Sequence, residues 1–269
     1  MPNAPTAATP IPDAIDSTLP PSTALVPRKP WLLRFGKWIQ PITNRWIARS
    51  SRVGDKAVFD TSDLARDFPW VAEIEAHWRE IRDEAAAVLQ DLNAIPPLAS
   101  ISPDHRRIAP AGRWRSYFLI GYRYRDPANC AACPRTTELV SKIPGLNSAF
   151  FSILVPQTHI PPHTGVTKAF LTCHLGIQVP READKCRMRV VDEWVGWEEG
   201  RALIFDDTFN HEVRNDTDET RIVLLIQVRR PVGPIGALVG GLFVEGVRRS
   251  RFVQDARRGI ARWSADRVG

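Results

Sequence analysis

Residues 170–179 read FLTCHLGIQV and residues 221–229 read RIVLLIQVR, two short runs dense in β-branched and aromatic side chains. Four more runs of this texture are WRSYFLIGYRY at 114–124, SAFFSILVP at 148–156, CRMRVV at 186–191 and RALIFD at 201–206. Pro, Gly and Asp separate them. Short strands at this spacing predict an all-β sandwich or barrel, because βαβ units would interpose long helical stretches.

Upstream the period lengthens. Val71, Ile74, Trp78, Ile81, Ala85, Val88, Leu89 and Leu92 recur every three or four residues behind Pro69, which predicts one amphipathic helix over 69–92, a brace on the sheet. It ends before Pro96-Pro97. Residues 1–27, rich in Ala, Pro, Thr and Ser, read as a disordered leader without the apolar core of a signal peptide. Residues 28–60 form a basic, aromatic segment in which Trp31, Trp38 and Trp46 are interleaved with Arg34, Lys37, Arg45 and Arg49. Pro41 is expected to interrupt any long helix there. Two readings stay open for this segment: contact with an anionic membrane, or an arm packed on the domain. The main domain is placed at 61–230, its β core at 112–230, and the basic amphipathic C-terminal segment at 231–269.

A chain of 269 residues with 43% apolar residues supports one sizeable core with extensions. No uncharged apolar run reaches the roughly 18 residues that a membrane-spanning helix needs, which excludes a multi-pass membrane protein. Four cysteines, with Cys130 and Cys133 as the single CxxC, build neither a disulfide scaffold nor a zinc ribbon. They read as thiols of a reducing compartment. The net charge of +6 lies mainly in the terminal segments without a recognition motif, so no nucleic-acid partner is expected.

The chemistry concentrates in HIPPHTGVTKAFLTCHLGI at 159–177 and FDDTFNHEVRNDTDETRIVLLIQV at 205–228. His163 follows two prolines at a strand end, and His211 lies in a second inter-strand loop 48 residues further on. Imidazoles on facing strands of a small barrel suit one Fe(II), Zn or Cu ion. In the facial triad of non-haem iron oxygenases a carboxylate stands two residues after the first His, and Gly165 occupies that position. Arg221, ten residues past His211, opens an apolar strand from which it reaches a carboxylate inside the barrel. Solvated loop histidines and a strand-edge arginine fit the same spacing. Asp206 and Asp207 are candidates to support the metal ligands.

Together HTG at 163–165, HLG at 174–176, FDDxFxHEV at 205–213 and the Arg ten beyond its His resemble the aspartyl/asparaginyl β-hydroxylase family of Fe(II)- and 2-oxoglutarate-dependent dioxygenases, over about residues 105–231. The resemblance implies a mainly β, double-stranded β-helix (jelly-roll, cupin-like) with flanking helices, whose iron is held by two histidines alone. It implies that His163 and His211 bind Fe(II), that Ser152 and Arg221 hold the distal carboxylate of 2-oxoglutarate, and that His174 lines its pocket. Trp114 is implied to face the substrate, and O2 to be the second cosubstrate. Two departures stand out. Thr172 replaces the Arg with which the family's peptide hydroxylases meet a substrate carboxylate, and of their paired cysteines only Cys130 is matched, the other position being Thr137.

The expected function is hydroxylation of an aliphatic C–H, on a small molecule or the acyl chain of a membrane lipid. Peptidyl aspartyl/asparaginyl hydroxylation and a cupin-like barrel that binds metal without turnover are the alternatives. The expected location is the cytoplasm, with peripheral contact between the basic segments and an anionic membrane, the inner membrane's cytoplasmic face.

Overall fold

Each of the six apolar runs forms a strand, because β-branched and aromatic side chains pack well on a pleated surface. A computed structural model describes residues 31–101, 108 and 112–268; the expected leader lies outside the described residues. In chain order come α1 (Trp31–Arg49), β1 (Val58–Phe59), α2 (Thr61–Asp67), α3 (Trp70–Ala76), α4 (Trp78–Val88) and α5 (Leu98–Ile101). The middle holds β2 (Trp114–Gly121), β3 (Tyr124–Arg125), α6 (Pro127–Ala132), α7 (Pro134–Ser141), β4 (Leu146–Leu154), β5 (Thr158–His163) and β6 (Phe170–Gln178). The last part holds β7 (Cys186–Val190), β8 (Glu193–Gly196), β9 (Ala202–Phe205), β10 (His211–Asn215), β11 (Arg221–Arg229), α8 (Pro234–Arg248) and α9 (Arg251–Val268).

Two antiparallel sheets result. The larger runs β1-β9-β6-β11-β4-β2-β3 and the smaller β5-β10-β7-β8. Phe118, Phe150, Leu154 and Val223 of the first meet Ile160, Met188, Val190 and Val213 of the second in one buried cluster, the interior of a double-stranded β-helix. The opposite face of the large sheet carries Leu171, Leu175, Leu224 and Ile226, which bury the brace residues Ile74, Ile81 and Leu139. Burial on both faces explains why β6 and β11 read as almost unbroken apolar runs.

Three expectations need correcting. The helix over 69–92 is two helices, α3 and α4, broken at His77, whose φ of −105° and ψ of 14° turn the chain. The turn brings Trp78 onto Gly200, where a Cβ would collide with the indole and φ is +75°. Pro41 does not interrupt α1 but lies inside it. An interior proline deletes one helical hydrogen bond and costs about 3 kcal/mol. Offsetting interactions come from Thr43, whose hydroxyl donates to the Gln40 carbonyl at 2.9 Å, and from Ile47, buried against α8. His211 opens strand β10 instead of lying in a loop, as cross-strand partner of both His163 and Val190. β5 escaped the sequence reading because THIPPH carries two prolines, which a strand tolerates at a sheet edge, and β5 is an edge.

All four cysteines are thiols, and the Thr137 hydroxyl donates to the Cys130 carbonyl. Asp206, a candidate to support the metal ligands, is fully buried in an ion cluster: Arg230 and Lys168 donate to its Oδ2 and Thr208 to its Oδ1. Arg230 also donates to the carbonyls of Gly54 and Lys168, so the cluster ties four segments together. Asp206→Ala leaves the Arg230 guanidinium buried without a counter-charge. A loss of about 3–5 kcal/mol is expected, read as a lower urea midpoint at unchanged slope.

Candidate active site

Alternation along the strands decides which side chains enter the barrel. Arg221, Leu225 and Gln227 on β11, Thr172 and His174 on β6, and Ser148, Phe150 and Ser152 on β4 all line one cavity of about 800 Å³. The structure brings His163, His211, Ser152, His174, Arg221 and Trp114 together in its wall.

His163 closes β5 and His211 opens β10 directly opposite, with ring centroids 4.1 Å apart. Each Nδ1 lies 2.9 Å from a carbonyl two residues earlier, Pro161 for His163 and Phe209 for His211. A carbonyl only accepts, so each Nδ1 carries the proton and each Nε2 keeps its lone pair. Burial, then the neighbouring His211, lowers His163 to about 4, and burial lowers His211 as well. Both rings are neutral at pH 7, the form that binds a metal. Among the described residues no third His, Cys, Asp or Glu joins them in a metal-holding group.

Gly165 has a steric reason. A Cβ there would overlap the Asp207 carboxylate, which comes from the other loop into the cavity wall. Thr172 Oγ1 donates to Asp207 Oδ2 at 3.3 Å. Burial, and secondarily Asp206, pushes the Asp207 carboxyl up to about 7.

At the far end of the cavity lies a buried cation. Arg221 is 2% exposed, and its Nε and Nη1 find no hydrogen-bond partner among the described residues. Its guanidinium stands 4.8 Å from the centroid of the Trp197 ring, and burial lowers its pKa to about 10. Trp114 Nε1 donates to Ser152 Oγ at 3.0 Å, which leaves the Ser152 proton free for another acceptor. Trp197 Nε1 donates to His174 Nδ1 at 3.2 Å, so the His174 proton sits on Nε2. Burial, then Arg221 and His211, holds His174 neutral. Guanidinium, hydroxyl and imidazole N–H form a donor set for an anion, next to two metal-competent nitrogens. These residues fit both groups of an iron and 2-oxoglutarate site.

Trp197, absent from the motifs, joins this end together by touching both Arg221 and His174. Nothing in its spacing signals that role. Trp114 was read as facing substrate, and its indole N–H is held by Ser152 at the anion end.

A pH dependence follows for the metal-free protein. The folded state keeps the Asp207 proton up to about pH 7, whereas an unfolded aspartate releases it near 3.8. Between these values the folded state keeps a proton on Asp207 that the unfolded state has lost, so the contribution of this group to stability falls as pH rises from about 4 to 7, by up to about 1.4 kcal/mol per unit, against the opposite contributions of the buried histidines, whose lowered pKa values make the folded state gain stability as pH rises. Asp207→Asn removes that slope; urea melts of both proteins at pH 5 and 7 measure it, and equal slopes would refute it.

Comparison with known proteins adds the relatives. Residues 75–231, more than half the chain, match the aspartyl/asparaginyl beta-hydroxylase family. The ornithine lipid ester-linked acyl 2-hydroxylase of Rhizobium tropici is 41% identical over 182 residues, covering 68% of this chain and 63% of that protein. Human aspartyl/asparaginyl beta-hydroxylase is 34% identical over 166 residues, 60% of this chain and 21% of that one. Human aspartate beta-hydroxylase domain-containing protein 2 is 34% identical over 131 residues, 45% of this chain and 35% of that one. The chain thus spans less than two thirds of the length of each of these relatives. The barrel, its facing histidines and the match over 75–231 make this chain a member of the aspartyl/asparaginyl β-hydroxylase family.

Proposed function

We propose that the protein is an Fe(II)- and 2-oxoglutarate-dependent dioxygenase that hydroxylates an aliphatic C–H on the acyl chain of a membrane lipid, in peripheral contact with the cytoplasmic face of the inner membrane. The observation that carries this reading is the combination, in one cavity, of two imidazoles with free Nε2 lone pairs and a buried guanidinium whose Nε and Nη1 find no partner among the described residues. With O2, the iron and 2-oxoglutarate supply an oxidant able to break an unactivated C–H bond, 2-oxoglutarate leaving as succinate and CO2.

His163 and His211 would hold the iron. Arg221 and Ser152 would take the distal carboxylate of 2-oxoglutarate, with the His174 Nε2–H beside them. Trp197 keeps the guanidinium in place through its ring face and fixes the His174 tautomer through its N–H. Phe118 and Phe150, stacked with centroids 4.3 Å apart, and Leu225 line the middle of the cavity and exclude water from the reacting carbon.

A lipid substrate is favoured by three features. Thr172 stands where the family's peptide hydroxylases carry the Arg that meets a substrate carboxylate, and here it serves Asp207 instead. The middle of the cavity is apolar, as an acyl chain requires. Its outer rim carries Arg123, Arg125, Arg229 and Arg248, suited to an anionic head group. The similarity to a lipid acyl hydroxylase points the same way.

Arg221→Ala removes the buried guanidinium of the anion end. It is expected to weaken 2-oxoglutarate binding by about 3–5 kcal/mol while sparing Fe(II) binding. Ser152→Ala costs about 1 kcal/mol, one hydrogen bond. Titration calorimetry of both variants, with 2-oxoglutarate decarboxylation by the Fe(II)-loaded wild type and a His163→Ala control, tests the reading. Metal binding without decarboxylation, in the presence of extracted bacterial lipids, would favour the non-catalytic barrel.

A further inference from the structure

Eight large apolar side chains are exposed among the described residues, and six of them are carried by α1, α8 and the loop that follows His163. Ile42 and Trp46 stand one turn apart on α1; Ile235, Leu238 and Leu242 form one stripe on α8; Val166 sits in the loop that follows His163. The exposures are high, 63%, 65% and 70% for the three residues on α8. Patches of this kind on soluble proteins mark interaction sites.

The helices that carry this patch are joined to each other and to the site. On the opposite side of α8, Gly236 and Gly240 bring it against Ser50 and Ile47, at the end of α1. Asn44 of α1 holds the Val166 loop from both sides: its amide donates to the Val166 carbonyl, and its Oδ1 accepts from the Lys168 N–H at 3.0 Å. Val166 is at once exposed and part of the cavity lining, and so the patch runs into the cavity mouth. Val244, Val247 and Arg248 of α8 are cavity wall. Both helices lie outside residues 75–231, the stretch shared with the family.

Charge selects the occupant. α1 contains no acidic residue, and its Arg45 and Arg49 are exposed beside Ile42 and Trp46. The single acid of α8, Glu245, is bound by Arg248 and by the exposed Arg249. A tryptophan and arginines around an apolar stripe match the interface of an anionic bilayer. At 15 residues α8 is roughly 22 Å long, short of the roughly 30 Å hydrocarbon core, and no described helix is long and apolar enough to cross a membrane. The face therefore lies in the headgroup region.

We infer that α1 and α8 form a docking face for an anionic lipid surface, which seats the cavity mouth at Val166 on the bilayer so that an acyl chain enters without crossing water. The inference rests on the lipid-hydroxylase reading and supplies its route of access.

Flotation of the full-length protein with vesicles of phosphatidylglycerol and phosphatidylcholine (1:3) tests it. The wild type is expected to float at low salt. The double variant Leu238→Glu with Leu242→Glu should lower the bound fraction at least tenfold, and Arg45→Gln with Arg49→Gln should lower it and flatten its salt dependence. In every variant, thermal stability and calorimetric 2-oxoglutarate affinity should match the wild type, since no substituted residue touches Arg221 or the histidines. Wild type that stays unbound, or a Leu238/Leu242 variant that floats equally well, would overturn the docking face. So would light scattering that shows a dimer which this variant dissolves, with no vesicle binding: the occupant is then a second copy. Wild type that floats but binds no 2-oxoglutarate refutes the dioxygenase reading and leaves the docking face standing.

Discussion

A guanidinium held inside a β barrel, away from water and with no ion-pair partner among the described residues, is an expensive arrangement, and the closed end of this molecule is organised around it. Desolvation alone lowers the Arg221 pKa to about 10, yet at neutral pH the group remains charged. Trp197 covers one face of the cation and passes its own N–H to His174, which removes the lone pair that His174 would otherwise turn toward the cavity. Ser152, whose oxygen already accepts from Trp114, is left to donate. Arg221, Ser152 and His174 thereby all present donors at this end, and an unpaired buried cation is relieved only by a ligand that is an anion.

The same strand alternation that buries Arg221 produces a gradient along the cavity. Down β11 the inward positions pass from Arg221 to Leu225, Gln227 and Arg229, from buried cation through apolar wall to an exposed cation. The imidazole pair enters from the smaller sheet, where β5 and β10 meet. Because β10 pairs with β5 on one side and β7 on the other, the position of His211 is set by two ladders at once, a rigid base for one half of a metal site. The Asp206 cluster with Arg230 and Lys168 anchors the 206–210 loop that leads into that strand.

The strands of the large sheet were legible because both their faces are buried, which writes apolar character into every position. In the smaller sheet β7 was legible, but β5 and β10 were not, because β5 carries prolines and β10 carries the polar sequence HEVRN, whose Glu212 is neutralised across the sheet by Arg189. The site histidines were found through motif spacing, which survives even though His211 was assigned to a loop. Trp197 escaped because its function depends on which strand lies opposite, a long-range fact that local sequence does not encode. Pro41 misled for the complementary reason: local propensity forbids what the packing of Ile47 on α8 permits.

Helix α8, outside the stretch shared with the family, departs from the usual pattern of a globular helix. On α8 the small residues Gly236 and Gly240 face the protein, and the large residues Ile235, Leu238 and Leu242 face outward. A helix stabilised by packing on its own domain places its large side chains inward, where each contributes roughly 1.5–3 kcal/mol on burial. In α8 that apolar area is withheld from the domain, while the glycines allow close approach to α1. Chemistry and access are thus divided between different parts of the chain. The buried donors at Arg221 and the paired imidazoles belong to the family barrel, and what reaches them through the mouth at Val166 is governed by helices that the shared domain does not contain.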